Sequence, residues 1–276
     1  MAVPSAQVLV RDPELAGSLD GERLRKAERD LVAATAVAFE GPWDPEEESD
    51  SVRGGIGLLL LEGLIVRRVG RTGRYGAELL GPGDLVRPWQ PASRAGLLPV
   101  DAVWSVLSPL TVAVLDRRFA AEVARYPEVT ATLFDRLSER SMRLATTQAI
   151  SQLTRVDRRL KALFWHLAER WGRVSGTGVI VPLDLTHRIL GQLIGARRPT
   201  VSIALSELAD RDELLRRPDG SWLLRGDPPN AHSLARKPAV TAQRQQDLMR
   251  PAGRFAHEFN PLGAAGNGHR EERRVG

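Results

Sequence analysis

Residues 185–225 constrain the fold of this chain more than any other stretch, because they read as two short helices around a tight turn followed by a two-stranded wing. Thr186 is a good N-cap, its hydroxyl placed to accept from an orphan N–H of the first turn, and Leu190 and Leu193 form the inner side of the helix it opens. Ile194-Gly195-Ala196 follows, and the glycine is free to take the left-handed backbone that a sharp helix–helix turn requires. A second helix opens at Arg197-Arg198-Pro199, where proline is tolerated because first-turn N–H groups lack intrahelical partners. Val201, Ala204, Leu205 and Leu208 make its apolar stripe, and Arg197, Arg198, Thr200, Ser202 and Ser206 fall largely outside it. Residues 214–217, the turn Pro218-Asp219-Gly220 and residues 221–224 then make a hairpin directly after that helix. Either half alone is compatible with an ordinary core hairpin; the two in this order predict a winged helix-turn-helix. A helix end that shows two arginines and two hydroxyls has the donors needed to enter a DNA major groove.

The remaining chain is read around this reader. At 276 residues it is long enough for two modest domains with extensions. It has no apolar run of about 18 residues, so no membrane partner is expected. The first residues lack the basic-then-apolar order of a signal peptide, which makes the cytoplasm the expected location. The absence of cysteine removes disulfides, thiol catalysis and cysteine-ligated zinc or iron–sulfur clusters. Histidines 166, 187, 232, 257 and 269 show no metal-ligand spacing on a shared element, so neither a metal nor a cofactor is expected. Gly54-Gly55-Ile56-Gly57 has no following lysine or helix and is no P-loop. With no catalytic constellation in view, the chain reads as a non-enzyme. The net charge of +5 suits a polyanion only weakly, since arginine dominates the basic residues throughout. Placement says more: Arg140, Arg143, Arg155, Arg158, Arg159, Lys161 and Arg170 cluster next to the reader.

The pattern divides the chain into an N-terminal extension (1–50), a β-rich domain (51–126), a long helix (127–154), the winged domain (155–226) and a tail (227–276) expected to be disordered. The extension carries a helix near residues 21–38 and an acidic loop at 44–50. Short β-type runs at 58–68, 75–80, 84–87, 103–106 and 111–115 suggest a small barrel or roll. The long helix offers Leu133, Phe134, Leu137, Leu144, Ala145, Ala149 and Leu153, with Arg136, Glu139, Arg140 and Arg143 expected outward. Its apolar side either packs on its own domain or forms a dimer seam. Val156, Leu160, Leu163, Phe164 and Leu167 should pack under the reader, and residues 179–183 should pair with the wing.

In this order of elements, residues 50–226 resemble the Crp/Fnr family of bacterial transcription regulators. Residues 79–85 (LLGPGDL) resemble the family's β-roll turn, Asp157-Arg-Arg-Leu160 the head of its winged domain, and residues 185–202 its reader. The resemblance implies an α+β fold: an N-terminal cupin-like β-roll, a long connecting dimerisation helix and a C-terminal winged helix-turn-helix. It implies a homodimer that regulates transcription on double-stranded DNA, with RNA polymerase as a further partner. Thr186, His187, Arg197, Arg198, Thr200, Ser202 and Ser206 on the reader, with Arg216 and Arg217 on the wing, then become the DNA-binding residues.

Two departures stand out. Where the family often reads Arg-Glu-Thr-Val-Ser-Arg, this chain has Arg198-Pro-Thr-Val-Ser-Ile203, which removes an acceptor for cytosine and an arginine for guanine. Members that bind cyclic nucleotides carry a Gly-Glu pair and then an Arg-Ser/Thr-Ala stretch. Here Arg87-Pro88 occupies the first position and Ser93-Arg94-Ala95 lies in inverted order nearby. Cyclic AMP and cyclic GMP are therefore not the expected effectors; Arg87 and Arg94 remain candidates for another anion. A ligand-sensing roll whose winged domain makes protein contacts is the alternative, against which Arg197 and Arg198 speak.

Overall fold

A computed structural model describes residues 4–45, 54–71, 73–88 and 100–229. The β-rich domain is built on two 15-residue strands, β4 (Gly57–Arg71) and β7 (Asp101–Leu115), paired antiparallel. Four strands precede or flank them in sequence: β1 (Ser5–Gln7), β2 (Val32–Ala38), β3 (Gly41–Trp43) and β5 (Arg74–Leu80). The sheet runs β1-β2-β7-β4-β5, with β3 also on β7 and the short β6 (Leu85–Val86) on β4. Alternate residues of β4 serve opposite faces. Leu58 and Leu60 join Val112 and Val114 in one core, whereas Leu59 and Leu61 join Leu15, Phe119 and Leu133 in another. Both faces are covered, which is why the strand reads as an unbroken apolar run.

The N-terminal residues belong to this sheet. The helix expected near 21–38 stops early: α2 spans Gly21–Asp30, and Val32–Ala38 pairs with β7 from Ala34↔Val114 to Ala38↔Leu110. Val32 and Val37 with small residues between them suit either state locally, and pairing with β7 decides. The runs expected at 103–106 and 111–115 are one strand. Pro109 interrupts their pattern, and it lies at a bulge where Gly63 (φ +89°) brings its backbone so close that a Cβ would sit 2.4 Å from Pro109 O.

Among the described residues the helical elements before the long helix are α1 (Val8–Arg11), a 3-10 turn at Pro13–Ala16, α2 and α3 (Arg117–Val123), the last capped by Asp116. The long helix α4 (Pro127–Ser151) opens on its proline. Its orientation differs from expectation. Arg136, Arg140 and Arg143 point inward: Arg140 grips Glu78 at 2.6 and 2.9 Å, Arg136 pairs with Asp12, and Arg143 with Asp84. Phe134 and Met142 are instead 65% and 66% exposed. Spacing alone cannot show this, because the acceptor carboxylates lie 59–124 residues away.

The winged domain comprises α5 (Val156–Trp171), β8 (Arg173–Ser175), β9 (Gly178–Val181), α6 (His187–Ile194), α7 (Arg198–Asp210), β10 (Leu214–Arg216) and β11 (Trp222–Leu224). Its sheet runs β10-β11-β9-β8, with Trp222 opposite Val181. Leu160, Leu163, Phe164 and Leu167 of α5 pack with Leu190, Leu193, Val201, Leu205 and Trp222. The same core takes in Leu64, Val66 and Leu79 of β4 and β5, so the reader rests on the β-domain. Arg68 Nε donates to Gln192 Oε1 (3.0 Å) across that junction. No helix among the described residues is long and apolar enough to cross a membrane.

Candidate nucleic-acid interface

Local chemistry shapes the reader. Thr186 Oγ1 accepts from Ile189 N–H at 3.3 Å and starts α6. Gly195 ends it in the left-handed conformation (φ 67°, ψ 38°), which turns the chain into α7. Arg197 is the N-cap of α7 and Pro199 sits in its first turn. Val201, Ala204, Leu205 and Leu208 are all buried, leaving Arg197, Arg198, Pro199, Thr200, Ile203 and Ser206 exposed on the outer face.

Among the residues singled out from the sequence, Thr186, His187, Arg198 and Arg216 come together, lining an open cleft of about 460 Å³ with Arg188. Three separate segments thus meet there: the start of α6, the start of α7 and the end of the wing strand β10. Arg188 was not singled out; its place two residues after the cap, off the Leu190–Leu193 side, is the signal that marks it. Arg216 is held over the Trp222 ring (5.6 Å to the centroid) and donates to Asp184 at 2.6 Å. Arg217 turns to Asp219 (3.4 Å) and Ser221 (3.3 Å), away from this cleft.

The hydroxyls are less available than the sequence suggests. Ser202 Oγ donates to Arg198 O (3.1 Å) and Ser206 Oγ to Ser202 O (3.2 Å), so both are bonded to their own helix. His187 Nδ1 lies 2.8 Å from Ser202 Oγ. Because that hydroxyl gives its proton to Arg198 O, the imidazole donates from Nδ1, and this bond ties α6 to α7. Partial burial, then the charges of Arg216 and Arg198, hold His187 below the ordinary histidine range. Arg188, Arg198 and Arg216, set against the carboxylate of Asp184, leave the cleft positive.

Of the two effector candidates, Arg87 is exposed just after β6, and Arg94 lies outside the described residues, as does the tail beyond residue 229. Among the described residues no group of three histidine, aspartate or glutamate side chains is placed to hold a metal ion.

Residues 158–224 match the model of the Crp-like helix-turn-helix domain. This chain carries a Crp-like reader. Its sequence is similar to the "CRP-like cAMP-activated global transcriptional regulator" of Mycobacterium tuberculosis, 28% identical over 152 residues, 52% of this chain and 65% of the relative. The match therefore spans somewhat under two thirds of the relative's length. Among solved structures, a CooA variant from Carboxydothermus hydrogenoformans is similar at 16% identity and TM-score 0.55, covering 72% of this chain and 85% of that one. A cyclic nucleotide-binding domain containing protein from Listeria monocytogenes is similar at 14% identity and TM-score 0.54, covering 69% and 88%. The likeness to these structures is one of fold, an α+β arrangement with an N-terminal β-sheet domain, helices and a C-terminal helix-turn-helix.

Proposed function

We propose that this chain is a sequence-specific DNA-binding transcription regulator that works as a homodimer. The observation that carries the reading is the convergence of Arg188, Arg198 and Arg216 from helix, helix and wing on one positive cleft beside the exposed face of α7. Arg198, at the N-terminal end of α7, is the base reader, and guanine is the base whose two acceptors suit a guanidinium. Arg188 and Arg216 take phosphate, and His187 holds the two helices at the angle that presents them. The dimer follows from α4. Phe134, Ser138, Met142, Ala145 and Ala149 recur every three or four residues on its exposed side, a seam that a second copy would cover. Two readers would then meet half-sites about 34 Å apart.

Selection from a random DNA pool by the full chain tests the reading and should return two-fold sites. Arg198→Ala should lose about 1–3 kcal/mol on the selected site and relax one position per half-site. Arg216→Ala should weaken all sequences alike and lower the salt slope by about one. Equal losses on specific and random DNA for Arg198→Ala would show that it reads no base. Sedimentation of the same samples should show a dimer, and a monomer both free and on DNA would remove the symmetric model.

A further inference from the structure

Ile203 is 63% exposed, whereas every other large aliphatic side chain of α7 is buried. It stands at the middle of the outer face, four residues after Pro199 and three after Thr200, both exposed. It makes no contribution to the core beneath, which Val201, Ala204, Leu205 and Leu208 supply. The polar neighbours that would otherwise dominate this step, Ser202 and Ser206, have their hydroxyl protons bonded to helix carbonyls. The arginines at the helix start and on the wing make this face complementary to a polyanion, so the occupant that fits it is duplex DNA.

A branched aliphatic side chain in a major groove has one good partner. Guanine, adenine and cytosine edges present hydrogen-bonding atoms there, which isoleucine would dehydrate without replacing their bonds. The thymine C5-methyl is the apolar feature of the groove. We propose that Ile203 is a specificity-determining residue that packs on a thymine methyl in each half-site. With a rise of 1.5 Å per residue, its Cα lies about 7.5 Å along the helix from that of Arg198, so the thymine sits on the order of two base steps from the base Arg198 reads. This rests on the DNA-reading assignment above and adds a base preference to it.

The test uses the selected operator with each thymine replaced in turn by deoxyuridine, which lacks only the methyl group. Wild-type protein should bind about three- to tenfold more weakly when one particular thymine per half-site is replaced, in line with the burial of one methyl group. Ile203→Ala should bind the thymine and uracil operators equally and accept cytosine at that step. The substitution is on the surface, so its unfolding curve should overlay that of the wild type and rule out a folding defect. Equal losses for wild type and Ile203→Ala, or indifference of the wild type to every uracil, overturn the proposal while specific binding itself stands. Failure to select any sequence overturns both this proposal and the reading beneath it.

Discussion

Phe164→Ala is expected to destabilise the winged domain by about 3–5 kcal/mol. Phe164 is completely buried on α5, and its ring lies 4.8 Å from that of Trp222 at 46°. Truncation leaves a cavity in the core that α5, α6, α7 and the wing share, and close packing there limits how far the neighbours can collapse into it. The wing strand β11 and the reader helices lose their shared support at once, so DNA binding should fail at the same denaturant concentration as folding. Urea unfolding followed by tryptophan fluorescence measures this directly. A loss under about 1 kcal/mol would mean the site relaxes freely, contrary to the packing described.

Asp84→Ala is expected to cost about 3 kcal/mol, because it strips the partner from a buried ionic joint. Asp84 is 2% exposed and accepts from Gly81 N–H at 2.9 Å, from Arg170 at 2.7 Å and from Arg143. One carboxylate of the β-domain thereby ties down both the long helix and the winged domain. Arg143 is already held below the usual arginine range, first by burial, and without Asp84 its remaining acidic neighbours are Glu139, at 4.0 Å, and Glu78. The melting temperature should fall by roughly 6–12 °C. Asp84→Asn should recover part of the loss, since its amide oxygen still accepts from Gly81. If asparagine proved as costly as alanine, the ion pairs rather than the turn would carry the whole effect, and wild-type stability at high salt would then measure their burial.

Much of the reader is legible in the sequence. Thr186 as cap, Gly195 as turn, Pro199 in the first helical turn, the stripe Val201–Ala204–Leu205–Leu208 and the wing turn at 218–220 all depend on contacts within a few residues. Backbone preference and hydrophobic period report such contacts faithfully. The α+β order of sheet, long helix and winged domain was legible for the same reason.

Residue order and short-range chemistry therefore set the local elements and the side chains they carry. Three features needed the tertiary structure. Residues 32–38 became a strand because β7 offered them an edge. The arginines of α4 turned inward because Asp12, Glu78 and Asp84 wait there, which left Phe134 and Met142 outside. Arg188 joined Arg198 and Arg216 because the helix–turn–helix angle and the wing bring separate segments to one cleft. In each case the deciding partner lies far along the chain, where periodicity carries no information and only the closed core sets the distance.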